Sequence, residues 1–247
     1  MAGHSHSANI AVRKGKQDAA RAKLFSKLSR YIIVAARAGG GDPEMNLKLR
    51  YAIDKARAVS MPRDNIERAI KRGTGELEGA QMEELVYEGF GPGGTAVICD
   101  ILTDNRNRTN SEVRKLFERG GGSMAGPGSV AYLFDRKGVF IVPAAGTTED
   151  SLMNVVLEAG AEDLHHVGDN FEVLSDVTAF NPIQAALEKA GIKPDSAEIE
   201  QVPKAGVDVD IETGKKVAKM LDLLDEHDDV QNVYCNANLT PEMTPDE

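Results

Sequence analysis

The order of hydrophobic periods along this chain constrains its fold more than any other feature. Apolar residues recur at three- and four-residue spacing in the N-terminal segment, whereas β-like runs alternate with helical segments from about residue 85 onward. The first pattern is typical of amphipathic helices, and the second indicates strands joined through crossover helices. We therefore predict an α+β fold, with an N-terminal three-helix domain followed by two ferredoxin-like α/β modules, one inserted into the other.

Three helices with short connections are predicted in the N-terminal domain. The first covers residues 18–37, and the second begins at the Asp42-Pro43 pair, which is a favourable cap and first-turn combination. The third opens at Pro62 and ends at Gly73. Together these segments predict a small helical bundle.

The rest of the chain divides into one complete module and two half-modules. Residues 138–203 follow the order β-α-β-β-α-β of a ferredoxin-like module. Two isolated β-α-β units flank it, with strands at 95–102 and 130–134 in the first and at 207–211 and 230–235 in the second. Joining them predicts a split module whose first and last strands pair, which places Cys99 and Cys235 on adjacent strands. The predicted domains are 1–80 (basic arm and helical bundle), 81–137 plus 204–240 (split module), 138–203 (acidic inserted module) and 241–247 (tail).

Charge is distributed very unevenly, although the 247 residues carry 29 Lys and Arg against 39 Asp and Glu, a net charge of −10. Residues 1–76 hold 16 basic and 7 acidic residues, a net of +9, and residues 77–247 hold 13 and 32, a net of −19. A basic segment joined to an acidic one suggests nucleic acid as a partner. We call residues 1–80 the head and the remainder the body.

Basic side chains cluster in three places on the head. Four share the face of the first helix opposite its apolar stripe, and others lie along the third helix and on an N-terminal arm. Such clusters neutralise phosphates and release counterions, which supplies most non-specific affinity for nucleic acid. Two more occur in Asp104–Thr109, where phosphate binding and pairing with nearby acids remain equally open. The candidate nucleic-acid-binding residues are Arg13, Lys14, Lys16, Arg21, Lys23, Lys27, Arg30, Arg37, Arg68, Lys71, Arg72, Arg106 and Arg108.

Other chemistries find little support in the sequence. Gly89–Gly94 matches G-x-G-x-x-G, but a strand is predicted after it, whereas dinucleotide binding requires a helix there. The 5 histidines and 2 cysteines lack metal-ligand spacing, and no nucleophile and base stand out. We predict reduced thiols at both cysteines, no catalytic residue, no metal site, no cofactor and no enzymatic activity.

The hydropathy pattern also bears on location. The longest apolar run, about Ile32–Ala36, is far shorter than the ~20 residues that a membrane-spanning helix needs. The N-terminus lacks the apolar stretch of a secretory signal and leads directly into basic residues. We therefore expect a cytoplasmic protein with neither a membrane partner nor a small-molecule substrate.

Several segments resemble the YebC-type family of probable transcriptional regulatory proteins, whose mitochondrial relatives are translational activators of a cytochrome oxidase subunit. The resemblance implies three domains and a cytoplasmic, non-enzymatic role associated with nucleic acid. The family commonly carries Lys-Trp where this chain has His6-Ser7, which removes a positive charge and an aromatic ring suited to stacking on a base. The matching segments are Met1–Ser5, Arg13–Arg30, Gly40–Asn46, Met61–Gly75, Tyr87–Gly94, Asn105–Thr109 and Gly120–Phe140.

Two functions are therefore open. The first is a DNA-binding transcriptional regulator whose head contacts the phosphate backbone while the acidic domains face outward or meet a protein partner. The alternative is a ribosome-associated translation factor that binds ribosomal RNA or tRNA through the same cations and relieves stalled synthesis. No recognition helix with base-reading spacing stands out, which favours recognition of backbone and shape in either case.

Overall fold

The computed structural model of the protein describes residues 20–78 and 82–243. The head contains α1 (Ala20–Gly39), α2 (Leu47–Ala58) and α3 (Arg63–Gly73). Helix α1 packs against both of the others, and Ile32 and Leu49 are completely buried between them. The prediction of a three-helix N-terminal domain is confirmed.

The second helix begins at Leu47 rather than at the Asp42-Pro43 pair. Asn46 caps it, because its side-chain oxygen accepts a hydrogen bond from the Leu49 amide at 3.1 Å while its Nδ2 donates to the Ala35 carbonyl at 2.8 Å. Asp42 instead accepts from the Glu44 amide at 3.0 Å within a turn. The cap that also bonds to α1 is favoured because it satisfies buried groups on two helices at once.

The body continues the chain through strands and helices in alternation. None of the described helices has both the length and the apolar character needed to cross a membrane. The elements in chain order are β1 (Glu83–Phe90), β2 (Ala96–Thr103), α4 (Arg106–Arg119), β3 (Ser123–Ala125), β4 (Phe134–Pro143), α5 (Glu149–Glu158), β5 (Ala161–Val167), β6 (Asn170–Asp176), α6 (Phe180–Lys189), β7 (Ser196–Pro203), β8 (Val207–Asp208), α7 (Ile211–Asp225), β9 (Val230–Cys235) and β10 (Ala237–Asn238).

The inserted module forms one four-stranded antiparallel sheet. Its strand order is β5-β6-β4-β7, which is the ferredoxin-like order for a β-α-β-β-α-β unit. Leu152 of α5 and Ile183 of α6 are completely buried with Phe140 of β4 in the core of this module. The ferredoxin-like prediction therefore holds for this part of the fold.

A second four-stranded sheet joins two distant parts of the chain. Its order is β3-β1-β2-β9, and the antiparallel β2–β9 pair places the buried, free thiols of Cys99 and Cys235 on adjacent strands. We call this the split sheet; α4 and α7 contribute Phe117 and Leu224 to the core on one of its faces. On these pairings we propose the domain division given above.

Three strand predictions in the split sheet are wrong. Residues 83–90 form β1, which was not predicted and which occupies the place beside β2 expected for residues 207–211. Of that latter segment only Val207–Asp208 is a strand, and it pairs with β10. Asp210 caps α7 instead, accepting from the Thr213 amide at 2.8 Å. In the strand expected at 130–134, residues 131–133 form a 3-10 turn instead.

A buried carboxylate explains why residues 128–131 do not form a strand. Glu88 of β1 accepts hydrogen bonds from the amides of Gly128 at 2.6 Å, Val130 at 2.7 Å and Ala131 at 2.8 Å. These amides are therefore unavailable to a sheet ladder. Burial raises the pKa of Glu88, but the backbone amides outweigh burial and hold this pKa below its usual value.

We expect the Glu88→Gln variant to be less stable by about 1–3 kcal/mol, because a neutral amide cannot accept from three backbone donors as a carboxylate does. Since the folded pKa is lowered, the stabilisation is present above the unfolded pKa and is lost as pH falls through the folded one. Urea unfolding at neutral and acidic pH measures both effects. The exposed neighbour Glu83→Gln is the control, and equal stabilities of the two variants would contradict the assignment.

Candidate nucleic-acid interface

Two of the predicted phosphate ligands on α1 are engaged by the body. Lys27 donates from Nζ to the Asp225 carbonyl at 2.6 Å and approaches the carboxylate of the same residue at 3.3 Å. Arg30 donates to the carbonyl of Asp228 at 2.7 Å and forms an ion pair with Asp229. Both side chains are less than one-fifth exposed, so this part of the basic face is covered rather than open to solvent.

Asp229 is the centre of this contact. Its side chain is 2% exposed, and it pairs with Arg30 of the head and with Arg108 of α4, the latter at 2.7 Å. The hydroxyl of Thr109 donates to it at 2.6 Å. Burial raises the pKa of Asp229, yet the bonds from Thr109 and Arg108 and the charge of Arg30 lower it to about 2.

The local sequence around α4 places Arg108 and Thr109 for this role. The helix begins at Arg106 because Asn105 caps it, accepting a hydrogen bond from the Arg108 amide at 3.1 Å. Thr109 therefore lies within the first turn, completely buried and directed at Asp229. The structure thus brings together Arg30 and Arg108, which the sequence had placed in separate motifs.

The C-terminal end of α7 also stabilises Lys27 in its position. It contacts Asp225, the last residue of α7, where carbonyl groups lack partners within the helix and the helix dipole is negative. A lysine ammonium at this end of a helix is stabilised by both effects. The contact satisfies the end of α7 and anchors α1 on it.

Four further predicted residues on the head are exposed. Arg37 donates to the Met82 carbonyl at 3.2 Å, and Arg68 binds the side chain of Asn65. Lys71 and Arg72 lie exposed in the last turn of α3. These four side chains remain accessible to a phosphate group, unlike those of Lys27 and Arg30.

For five other predicted residues, the structure describes either the backbone alone or nothing. Arg13, Lys14 and Lys16 lie outside the described residues. Arg21 and Lys23 belong to the described backbone of α1, but their side chains are not described. Arg106 is exposed at the first position of α4, and its carbonyl accepts from the Tyr87 hydroxyl at 3.3 Å.

Sequence reasoning missed a group of cations further along α4. Arg114, Lys115 and Arg119 are all exposed, and none pairs with a carboxylate within 20–78 or 82–243. Helix α4 carries five basic and two acidic residues, a net of +3. Counting charge helix by helix, rather than for the acidic body as a whole, would have revealed it.

The head also contacts the inserted module through ion pairs. Lys55 of α2 pairs with Glu198 of β7, and Arg50 lies 3.5 Å from Glu188 of α6. Basic residues of the head therefore meet acidic residues of the inserted module and of the part of the body that holds the split sheet. Part of the charge separation seen in the sequence is used inside the molecule.

A cavity of about 440 Å³ lies where the head meets both sheets. Burial raises the pKa of its Asp100, although hydrogen bonds from Tyr234 and Asn232 oppose this effect. Four carboxylates line the cavity against two cations, which makes it unsuited to binding a phosphate. The charged lining residues are Glu84, Asp100, Glu198, Glu200, Lys48 and Arg136.

The fold and its cation surfaces together define a multidomain α+β protein with a basic helical head fastened to an acidic body. The chain belongs to the TACO1/YebC family. The model of the TACO1/YebC N-terminal domain matches residues 5–76, and the model of the second and third domains matches residues 82–237. The resemblance noted from the sequence is thereby confirmed.

Similar proteins are found over nearly the whole chain. A probable transcriptional regulatory protein of Shewanella oneidensis is 52% identical over 98% of this chain and 98% of its own length. One of Rhodopirellula baltica is 50% identical over 98% of both chains. The crystal structure of a conserved hypothetical protein from Aquifex aeolicus superposes with a TM-score of 0.86 at 47% identity, covering 96% of this chain and 98% of that one.

We expect Asp229→Asn to destabilise the protein at neutral pH by about 2 kcal/mol, because the pKa of Asp229 falls to about 2 on folding from the ordinary 3.8. With a lowered folded pKa, the stabilisation is complete above about pH 4 and disappears as pH falls towards 2. Urea unfolding of both proteins across this range measures the effect.

The neighbouring variant Asp228→Asn is the matched control, because that side chain is exposed and only its carbonyl contacts Arg30. We expect its stability and pH dependence to follow those of the wild type. A stability of Asp229→Asn equal to that of this control at neutral pH would show that the buried pair does not hold the head.

Proposed function

We propose that this chain is a non-enzymatic, cytoplasmic regulator that binds nucleic acid, with DNA as its main target, and that its head contacts the phosphate backbone. The names of its relatives as probable transcriptional regulatory proteins support a regulatory role. The net charge of +9 over residues 1–76 supports phosphate as the chemical group that the head recognises.

The observation that carries the proposal is the exposed cation cluster of α3. Arg68, Lys71 and Arg72 fall within an arc of about 100° on this helix, at about 100° per residue. All three are exposed, and none forms an ion pair with a described carboxylate. They are therefore able to exchange solvent and counterions for phosphate without breaking an ion pair.

The predicted ligands of the head divide into two groups under this proposal. Lys27 and Arg30 position the head on the body through Asp225 and Asp229. The exposed ones contact phosphate, together with those whose side chains are not described. Arg106 is the exposed predicted residue on the body, and the second group on the head is Arg13, Lys14, Lys16, Arg21, Lys23, Arg37, Arg68, Lys71 and Arg72.

The acidic body has a different part in the proposal. Its net negative charge repels phosphate and therefore orients the molecule with the head towards nucleic acid. We propose that the acidic modules remain available to a protein partner. The alternative, a ribosome-associated translation factor, would use the same cations on RNA, and sedimentation with ribosomes distinguishes it from DNA binding.

We expect a variant with Arg68→Gln, Lys71→Gln and Arg72→Gln to bind duplex DNA more weakly and with less dependence on salt. If all three contact phosphate, the slope of log K against log salt falls by about 2–3 in magnitude, at about 0.9 for each contact. Fluorescence anisotropy of a labelled duplex across a salt series measures both quantities.

The control variant is Lys215→Gln, Lys216→Gln and Lys219→Gln on α7, which removes three exposed positive charges from a helix that carries as many acids as bases. Equal losses of DNA affinity in the two variants would show that net charge alone causes the effect and would contradict the α3 assignment. Cell extract sedimented on a sucrose gradient after DNase treatment provides the second arm. Comigration with ribosomes that depends on the α3 cations would replace the DNA proposal with the translational alternative.

A further inference from the structure

Helix α4 differs from the other helices of the body in its charge. It carries five basic and two acidic residues. Helix α5 carries three acidic residues and no basic one, α6 carries one of each, and α7 carries three of each. Helix α4 therefore has a net charge of +3 within residues 77–247, whose total net charge is −19.

The contacts of α4 divide its charges into two sets. Arg108 pairs with Asp229 at 2.7 Å and with Asp104 at 3.0 Å, and Glu112 is bound by His227 at 2.9 Å. These side chains are used within the molecule. Four other basic residues lie on this helix, and its one other acidic residue is Glu118. The four are Arg106, Arg114, Lys115 and Arg119. The charges that remain on α4 after these contacts therefore keep its net of +3.

The position of α4 relates this surface to the head. Its first turn meets α1 at Asp229, where Arg30 and Arg108 share one carboxylate. Its apolar face is covered by the split sheet and α7, through Val113 and Phe117. The opposite, exposed face is about 21 Å long for 14 residues and begins beside the head.

We propose that the exposed face of α4, formed by Arg114, Lys115 and Arg119, is a second phosphate-contacting surface for duplex DNA. This inference rests on the proposed function and adds a site on the body to that of the head. A duplex carries one phosphate for about every 1.7 Å of its axis when both strands are counted, so a stretch as long as this helix carries about a dozen, more than the cations of α4 need. The cations neutralise backbone charge and carry no base specificity, because phosphate contacts position a protein without reading sequence.

The test removes three of these charges in the full-length chain, with Arg114→Gln, Lys115→Gln and Arg119→Gln. The α7 variant described above is the matched control, since it lies on the adjacent helix and removes the same charge. We expect the α4 variant to lose about 2 from the salt slope and roughly 100-fold in affinity at about 0.1 M salt. The control is expected to remain within about threefold of the wild type. Circular dichroism checks that both variants keep their helices.

The possible outcomes separate the two proposals. If the wild type binds DNA and only the α3 variant is impaired, the function stands and the α4 surface is refuted. If the wild type shows no salt-dependent affinity for DNA, both fail. An effect of the α4 variant confined to an RNA hairpin of equal phosphate number refutes DNA as its occupant. A change in self-association measured by sedimentation, with DNA affinity intact, shows instead that α4 binds the acidic surface of a second copy.

Discussion

The carboxylate of Asp229 is the group on which the arrangement of head and body depends. It is almost fully buried and is compensated by Arg30, Arg108 and Thr109, which come from separate parts of the chain. A buried charge without such partners costs several kcal/mol, so each contributor is stabilising only while the others are present. The contact therefore couples the start of α4 to the middle of α1, and it sets where the free cations of the two helices lie.

Because of this coupling, the basic residues of the head fall into two groups, one mostly buried at the junction and one exposed to solvent. A net charge counts every lysine and arginine alike, whereas the structure uses Lys27 and Arg30 at the junction and leaves Lys71 and Arg72 exposed. Desolvated ion pairs hold the domains together, and solvated cations remain free to exchange ions with a polyanion. The same residue types thus serve attachment and recognition, and burial decides between the two roles.

Hydrophobic periodicity predicted the three head helices and the inserted module because those elements are specified by local pattern. It failed where a distant side chain decides the backbone, as Glu88 does by taking the amides of residues 128–131. The candidate nucleic-acid interface likewise divides into features set by local pattern and features set by distant residues. Helical spacing placed Arg30 opposite the apolar stripe of α1, but no local signal showed that Asp229, 199 residues away, would cover it. Arg114, Lys115 and Arg119 were hidden by the acidic average around them.

The acidic body and the basic α4 are compatible in one binding geometry. Repulsion from the inserted module, with its excess of Asp and Glu, disfavours orientations that bring that module near a phosphate backbone. Under the two proposals, an orientation that presents the junction of α1 and α4 would bring cations of both head and body to the backbone. Because the junction is held by Asp229, the spacing between the two cation surfaces is fixed before binding, which lowers the entropic cost of engaging both. A rigid pair of backbone contacts recognises the shape of its target, and this agrees with the absence of base-reading spacing in the sequence.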